Sequence, residues 1–236
     1  MAFNNFSIVI PAHNEEKYIQ ETLKRALSQN YPLDRFELIV VENGSTDKTL
    51  SKIKQLKSRR LKTYSMKQNG ISLAKNFGAR KVNKKCEWII FLDADTWLAR
   101  NALLKINEHI EKNERAPLSI GTTTLMPIER RLDTDFWFII TEIFARRFFK
   151  NAGGVQIANR KIFERIRYDE GMKMAEDVKL IKDMEAYGKF FHVPIVSRSS
   201  ARRIVRVGTF RLMLECLNIW LYSLERKGKV HYEVIR

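Results

Sequence analysis

Two carboxylates one residue apart, Asp93 and Asp95, follow directly after an apolar run at residues 88–92. A continuous apolar run of this length predicts a strand that is buried on both faces. Because residues i and i+2 of an extended chain point to the same side, both carboxylates can face one ligand. Such a pair suits a hard divalent cation whose other ligands are water and a diphosphate. The same spacing also fits a turn whose carboxylates only cap a helix.

Two further polar clusters, residues 11–16 and 42–47, each follow a predicted strand. Asn14 predicts a helix N-cap, with two glutamates in the first helical turn, where the helix dipole favours anions. The carboxylates of the first cluster could instead accept hydrogen bonds from ribose hydroxyls. Glu42 closes its strand as Asp93 does, so it could accept a hydrogen bond from a base N–H. Capping and turn formation alone would also explain both clusters.

The remaining two clusters lie at predicted helices. Residues 69–78 carry small side chains around Lys75, whose cation could reach a diphosphate, although the ending of a Walker-type phosphate loop is missing. Glu176 and Asp177 form an acidic pair, which the helix dipole usually explains. If the fold brings this pair close to the ligand of Asp95, a carboxylate there could serve as a general base.

The elements that must position these clusters alternate between strand and helix patterns over about the first ninety residues. They are strands at residues 6–11, 36–41, 61–65 and 88–92, with helices at 14–27, 46–56 and 72–82 between them. Later predicted elements are helices at 98–110, 133–150, 159–166, 176–187 and 209–225 and strands at 117–126, 155–158 and 190–196. The early alternation indicates parallel βαβ units, whose ligands bind at the carboxyl ends of the strands.

The 236 residues carry a formal charge of +16, and 44% are hydrophobic, which is enough for the core of one large α/β domain. The chain opens without a signal-peptide pattern, and no apolar run approaches the roughly 20 residues of a membrane span. Cys86 and Cys216 match no metal spacing, which favours free thiols in a reducing compartment.

The last forty positions hold nine basic and three acidic residues, and residues 210–224 place apolar side chains at helical spacing. A basic amphipathic helix of this kind suits an anionic membrane surface, with packing on the domain or dimerisation as alternatives. The predicted helix at 133–150 adds six aromatic side chains and ends in three basic residues. It is expected either to face a lipid-linked acceptor or to form the floor of the core.

In this order and spacing, residues 8–15, 41–47, 91–95 and 176–177 resemble the family 2 glycosyltransferases of the nucleotide-sugar-binding GT-A type. The similarity extends over roughly residues 6–205. It implies a single Rossmann-like α/β domain with a mixed, mainly parallel central sheet. We therefore expect a GT-A domain at residues 1–206 and a basic amphipathic helix and tail at 207–236.

The resemblance also implies a metal-dependent, inverting transfer of sugar from a UDP- or GDP-sugar to a hydroxyl acceptor, lipid-linked or part of an envelope glycan precursor. Asp95 would hold Mg²⁺ or Mn²⁺ on the diphosphate, and Asp177 would be the base that deprotonates the acceptor. The donor would be contacted by Pro11, Ala12, Asn14, Glu15, Glu42, Lys75, Asp93 and Ala94.

Three positions depart from the family pattern. The acid after the second strand is usually Asp, and Glu42 is one methylene longer. The helix cation is usually Arg, and Lys75 lacks its bidentate fork. The stretch at residues 168–170, in a loop that borders the acceptor in relatives, lacks the paired glycines often found just ahead of it.

Three alternatives stay open. The charge could indicate nucleic-acid binding, although no helix-turn-helix, zinc spacing or RNA-recognition pattern is found. A nucleotidyltransferase would usually carry a Gly-rich basic loop in place of residues 12–15. A partner subunit could bind nucleotide sugars without catalysis, but the set of acidic residues favours an enzyme. We place this enzyme in the cytoplasm, peripheral on the inner face of the cell membrane.

Overall fold

The computed structural model describes residues 2–144, 153–172, 175–209 and 211–212. Within these ranges one eight-stranded sheet is flanked by helices. The strands are β1 (Phe6–Ala12), β2 (Phe36–Asn43), β3 (Leu61–Met66), β4 (Trp88–Leu92), β5 (Thr96–Trp97), β6 (Leu118–Pro127), β7 (Val155–Asn159) and β8 (Lys189–Ser199). The helices are α1 (Ile19–Leu27), α2 (Thr49–Lys54), α3 (Ile71–Ala79), α4 (Ala102–Lys112), α5 (Leu132–Phe144), α6 (Arg160–Ile166), α7 (Glu176–Glu185) and α8 (Arg202–Val207).

The strand order in the sheet is β3-β2-β1-β4-β7-β6-β8-β5. The first four strands of this order are parallel, as the βαβ pattern of the sequence predicted. β7 is antiparallel to both β4 and β6, β8 is parallel to β6, and β5 is antiparallel to β8. The expected single α/β domain with a mixed, mainly parallel sheet is therefore confirmed.

Helices cover both faces of the sheet. Successive residues of each buried strand point to opposite faces, so each strand contributes apolar side chains to both sides. Ile8 and Ile10 of β1 pack with α1, α2 and α4 on one face, in a cluster that includes Leu23, Ile53 and Ile106. Val9 and Phe91 pack on the other face with side chains of α3, α6 and α7. The unbroken apolar runs of the sequence are the signature of such a two-sided core. Cys86 is a buried free thiol here, and Cys216 lies outside the described residues.

The predicted N-cap at Asn14 is wrong. α1 begins only at Ile19, and Asn14 adopts a left-handed backbone conformation with φ of 54°. The Asn14 side chain accepts a hydrogen bond from the backbone N–H of Thr46, while the N–H of Glu15 donates to Thr49 Oγ1. Hydrogen bonds between the loops that follow β1 and β2 therefore replace the local helix turn that the sequence favoured.

The predicted helix at 98–110 also begins later, at Ala102, because Thr96 and Trp97 form the short strand β5. Thr96 Oγ1 donates a hydrogen bond to Ser199 Oγ, 3.0 Å away on β8. β1 extends one residue beyond Pro11, the predicted end of the first strand. Its ladder with β4 ends at Val9, but its pairing with β2 runs through Ala12.

α5 covers the first part of the aromatic-rich helix, whose predicted residues 145–150 lie outside the described ranges. Phe138 is buried in a small cluster with Ala201, Ile204 and Leu212, so part of this helix does pack on the domain. The opposite stripe is exposed, and its members are Leu132, Phe136, Ile139 and Ile143. The predicted helix at 209–225 lies almost entirely outside the described residues. Among the residues that are described, no helix has the length and apolarity needed to cross a membrane.

Gly78 is the point at which α3 lies closest to the sheet. A Cβ added there would approach Val9 Cγ1 to 2.4 Å and Val41 Cγ2 to 3.1 Å. We expect Gly78→Ala to lower the free energy of unfolding by about 1–3 kcal/mol in urea denaturation, because overpacking outweighs the better helix propensity of alanine. The matched change Gly171→Ala meets only the flexible side chain of Asp169 and should stay within about 0.5 kcal/mol of the wild type. Equal stability of both variants would contradict this account of the packing.

Candidate active site

The carboxyl ends of β1, β2 and β4 meet at one edge of the sheet. Ala12 at the end of β1 pairs with Glu42 on β2, and Val9 pairs with Phe91 on β4. Parallel pairing therefore brings the three clusters that follow these strands to the same edge, which is where ligands bind in open α/β sheets. Of the first cluster, Pro11 and Ala12 are buried in β1 itself.

Glu42 is buried at the end of β2, and its Oε1 accepts a hydrogen bond from the backbone N–H of Ser45. This contact closes a turn around Gly44, whose φ of 69° is left-handed. The hydrogen bond gives Glu42 a structural role in shaping the loop, beside the base contact that the resemblance implies. His13 Nδ1 lies 2.7 Å from the carbonyl oxygen of Asn43, which ties this loop to the one after β1.

Glu15 and Asp95 are joined by Arg202, a residue of α8 that sequence reasoning assigned only to the basic tail. Arg202 Nη1 donates to Glu15 Oε2 at 2.7 Å, and its Nη2 lies 3.1 Å from Asp95 Oδ2. The several N–H groups of the planar guanidinium let it engage two carboxylates at once. No local sequence signal indicated this role, because 187 positions separate Arg202 from Glu15.

The two carboxylates after β4 are partly buried, and the pKa of each is raised. Burial, and then the charge of Glu15, raise the pKa of Asp95 to about 7 against the opposing effect of Arg202. Burial also raises the pKa of Asp93. Asp93 Oδ1 is inaccessible to solvent and has no hydrogen-bond partner in the part of the chain that the structure describes. Between them, the carbonyl oxygen of Ala94 accepts a hydrogen bond from Thr22 Oγ1 and fixes the turn.

Lys75 and Asp177 form an ion pair on the other side of Asp93. Lys75 Nζ lies 2.9 Å from Asp177 Oδ1, and the lysine side chain is fully buried. The charges of Lys75 and Asp177 on one side, and of Arg202 on the other, act on the pKa of Asp93. The structure therefore brings the predicted donor, metal and base positions together around Asp93.

Glu176 stands beside Asp177 at the start of α7. Burial, and then the charge of Asp177, raise the pKa of Glu176. The preceding residue, Ala175, has a left-handed φ of 56°, which is uncommon for a residue other than glycine. The acidic pair thus begins a helix from a strained backbone position, and strain of this kind is often found at functional sites.

The described residues contain no group of three or more histidine, cysteine, aspartate or glutamate side chains that could hold a metal ion. The residues at the edge of β4 still fit a hard divalent cation. Asp93 offers a buried oxygen without a partner, and Asp95 is a carboxylate already neutralised by a cation. Such a site would bind a metal together with oxygens from a ligand and from water.

Asp95 makes the stability of the metal-free protein dependent on pH. Its pKa of about 7 lies above the ordinary value of 3.8, so the folded state binds more protons between these values, and wild-type stability falls as the pH rises from 4 to 7. Asp95→Asn removes this group. We expect the free energy of unfolding of the variant to rise relative to that of the wild type by about 1.4 kcal/mol per pH unit across that window. Urea denaturation at several pH values with EDTA present measures the difference.

Asp34→Asn is the control, because this carboxylate is exposed and lies at the opposite edge of the sheet, before β2. The free energy of unfolding of Asp34→Asn should depend on pH in the same way as that of the wild type. A difference between Asp95→Asn and the wild type that does not change from pH 4 to pH 8 would contradict the raised pKa.

Comparison with known proteins identifies related sequences and folds. The model of the family "Glycosyl transferase family 2" matches residues 7–167. The minor teichoic acid biosynthesis protein GgaA of Bacillus subtilis is 26% identical over 209 residues, covering 79% of this chain and 46% of GgaA. The poly(ribitol-phosphate) β-N-acetylglucosaminyltransferase TarS of Staphylococcus aureus is 28% identical over 116 residues, covering 49% of this chain and 20% of TarS. The chain thus spans less than half the length of these relatives.

Two solved structures share the fold. The structure of S. aureus TarS 1–349 in complex with UDP-GlcNAc matches with a TM-score of 0.64 and 20% identity, covering 84% of this chain and 56% of that one. The mannosyltransferase PcManGT from Pyrobaculum calidifontis, in complex with GDP-Man and Mn²⁺, matches with a TM-score of 0.66 and 19% identity, covering 98% and 67%. At this level of identity the match shows the GT-A fold alone.

Proposed function

The chain belongs to glycosyl transferase family 2, and on that premise we propose that it transfers a sugar from a nucleoside-diphosphate sugar to a hydroxyl acceptor, with inversion at the sugar carbon and with a divalent metal. The observation that carries this proposal is the partly buried pair of Asp93 and Asp95 at the carboxyl end of β4. One side of the pair faces the loop of Glu15, and the other faces Lys75 and Asp177.

The nucleoside side of the site is assigned to the loops after β1 and β2. Asn14, Glu15 and Glu42 are held there by hydrogen bonds within and between the two loops. A preorganised loop loses less conformational entropy when it binds a ligand than a mobile one. We assign the ribose to Glu15 and the base to the surroundings of Glu42, together with Pro11 and Ala12.

A metal held by Asp95 would act as a Lewis acid on the leaving diphosphate. The protein supplies the remaining chemistry. Asp177 removes the proton of the acceptor hydroxyl as its oxygen bonds to the sugar carbon and the bond from that carbon to the diphosphate oxygen breaks. A displacement in one step, with base and leaving group on opposite sides of the sugar, inverts the configuration of that carbon.

The relatives indicate the class of donor and acceptor. The TarS structure contains UDP-GlcNAc, and the PcManGT structure contains GDP-Man with Mn²⁺, so we propose a UDP- or GDP-sugar as donor. GgaA is named for minor teichoic acid biosynthesis, and TarS is named as a poly(ribitol-phosphate) β-N-acetylglucosaminyltransferase. We therefore propose a glycan acceptor of the envelope, or its lipid-linked precursor.

A thermal-shift series with UDP, GDP, CDP and ADP, each with and without Mn²⁺, tests the proposed function. A ligand at one hundred times its dissociation constant adds about 2.7 kcal/mol of stability. One diphosphate is expected to stabilise the protein only with metal, and Asp95→Ala is expected to abolish that shift. Asp34→Ala, at the opposite edge of the sheet, should retain it. If no nucleotide stabilises the wild type with Mn²⁺, the proposed function is wrong.

We also propose that the protein acts in the cytoplasm, peripherally on the inner face of the cell membrane. The predicted basic amphipathic helix at the C-terminus lies outside the described residues, but two observations before it support the proposal. Arg206 and Arg211 are exposed at the end of the described chain. The exposed stripe of α5 presents Leu132, Phe136, Ile139 and Ile143 at spacings of three and four residues. Apolar side chains beside basic ones favour an anionic lipid surface.

Vesicle flotation tests this second proposal. The full chain is expected to float with phosphatidylcholine vesicles that contain phosphatidylglycerol, and less so at high salt, because salt screens exposed charges. The double variant Phe136→Asp and Ile143→Asp should reduce flotation, because it places charges on the apolar stripe. Tyr187→Asp, a change at another exposed aromatic side chain, should not. Equal flotation of all three proteins would rule out a role for α5.

A further inference from the structure

Lys75 is the most completely buried charged side chain of the candidate site, with no exposed surface. A buried ammonium group is costly unless charged and polar partners surround it. Its Nζ lies 2.9 Å from Asp177 Oδ1 and 3.4 Å from Gln156 Oε1 on β7. Burial lowers the pKa of Lys75, but the neighbouring anionic groups, led by Asp177, outweigh burial and hold this pKa well above its usual value. The lysine is therefore a permanent cation.

Tyr168 completes the enclosure of this cation. The centroid of its ring lies 4.7 Å from Lys75 Nζ, within the range of a cation–π interaction. Its hydroxyl donates a hydrogen bond of 2.9 Å to Gln156 Oε1, the same oxygen that faces the lysine. The position of the ammonium group is thus set by contacts from three separate parts of the chain.

The segment that leads to Asp177 is fastened to the same helix as Lys75. Asn76, the next residue on α3, accepts a hydrogen bond from the backbone N–H of Tyr168 and donates one to its carbonyl oxygen. Asn76 also donates to Glu170 Oε1 at 2.9 Å. α3 therefore holds both the loop before α7 and, through Lys75, the first turn of α7.

Asp177 needs such a support because its surroundings oppose a fixed carboxylate. It follows Glu176, a second partly buried acid, and the left-handed Ala175. Asp93 is also close enough for its charge to act on the lysine. Among the described residues, the groups that face the acidic pair from other elements include Lys75 on α3, Asp93 after β4 and Tyr168 before α7. Of these three groups, Lys75 carries the positive charge.

We propose that Lys75 is a positioning residue that holds the Asp177 carboxylate by its Oδ1 and so presents Oδ2 to the acceptor hydroxyl. This inference rests on the proposed function, in which Asp177 is the general base. It differs from the role that the resemblance implied for this position, a direct contact with the donor. The acceptor proton passes to Oδ2, while the ammonium group keeps its own proton and remains bound to Oδ1.

A double-mutant cycle on Lys75→Met and Asp177→Asn tests the inference. The assay is release of nucleoside diphosphate with Mn²⁺ and water as acceptor, from UDP-GlcNAc or GDP-mannose according to the nucleotide that binds. We expect Asp177→Asn to lower kcat by about 10²–10⁴-fold. Lys75→Met should lower kcat by about 100-fold with an unchanged KM for the donor, because it misplaces the base. In the Asp177→Asn background it should lower kcat no further, because both residues act as one unit.

Three further variants control for structural damage. Lys62→Met removes the lysine of another ion pair, with Glu37 at 2.7 Å near the amino end of β2, and should leave kcat unchanged. Lys75→Arg keeps a cation and should recover part of the lost kcat. If Lys75→Met does not fold, Tyr168→Phe deletes only the hydroxyl that holds Gln156 and should also lower kcat without changing KM.

Each way of failing gives a different result. If Lys75→Met raises KM or abolishes the thermal shift with nucleotide and Mn²⁺ while kcat is kept, Lys75 contacts the donor and the inference is overturned. Independent, multiplicative losses in the cycle overturn it as well. If Asp177→Asn keeps the wild-type kcat, the assignment of the base is wrong, and if the wild type binds no nucleotide, the proposed function itself has failed.

Discussion

The crowding of carboxylates that are buried or partly buried is the constraint that the rest of this site must satisfy. Glu15, Asp93, Asp95, Glu176 and Asp177 crowd the carboxyl ends of the strands, and most of them lie in surroundings that disfavour a charge. Two cations compensate them, the partly buried Arg202 on one side and the fully buried Lys75 on the other. A buried ion pair contributes little net stability, but the loss of one partner leaves an uncompensated charge. The cations therefore determine where these acids can stand.

The ion pairs of Arg202 and Lys75 also connect parts of the chain that are far apart in sequence into one site. The parallel half of the sheet, from β3 to β4, brings the nucleoside loops together, and the antiparallel strand β7 joins it to the half that carries α7 and α8. Arg202 and Lys75 each connect a residue of the first half with one of the second. Asp93 stands at the junction, where the charges of both ion pairs act on it.

The basic residues of this molecule include two groups with different surroundings. Lys75 and Arg202 are each paired with acids of the candidate site, so their charges are largely compensated there. Arg206 and Arg211 are exposed, so their charges can act on a partner surface. Net charge alone does not separate these two groups, because burial is a property of the fold.

The sequence by itself determined most of the order of strands and helices, the parallel half of the sheet and the acids at the ends of β1, β2 and β4, because apolar periodicity and strand-end position are local properties. It also predicted the position of Asp93 and Asp95 after a buried strand. It did not predict the short elements β5 and α8. Only the tertiary structure decided that Arg202 reaches Glu15, that Lys75 pairs with Asp177 across 102 positions, and that loop contacts displace the start of α1 to Ile19. These features depend on contacts between residues far apart in the chain, and no local pattern encodes which partner a charge will meet.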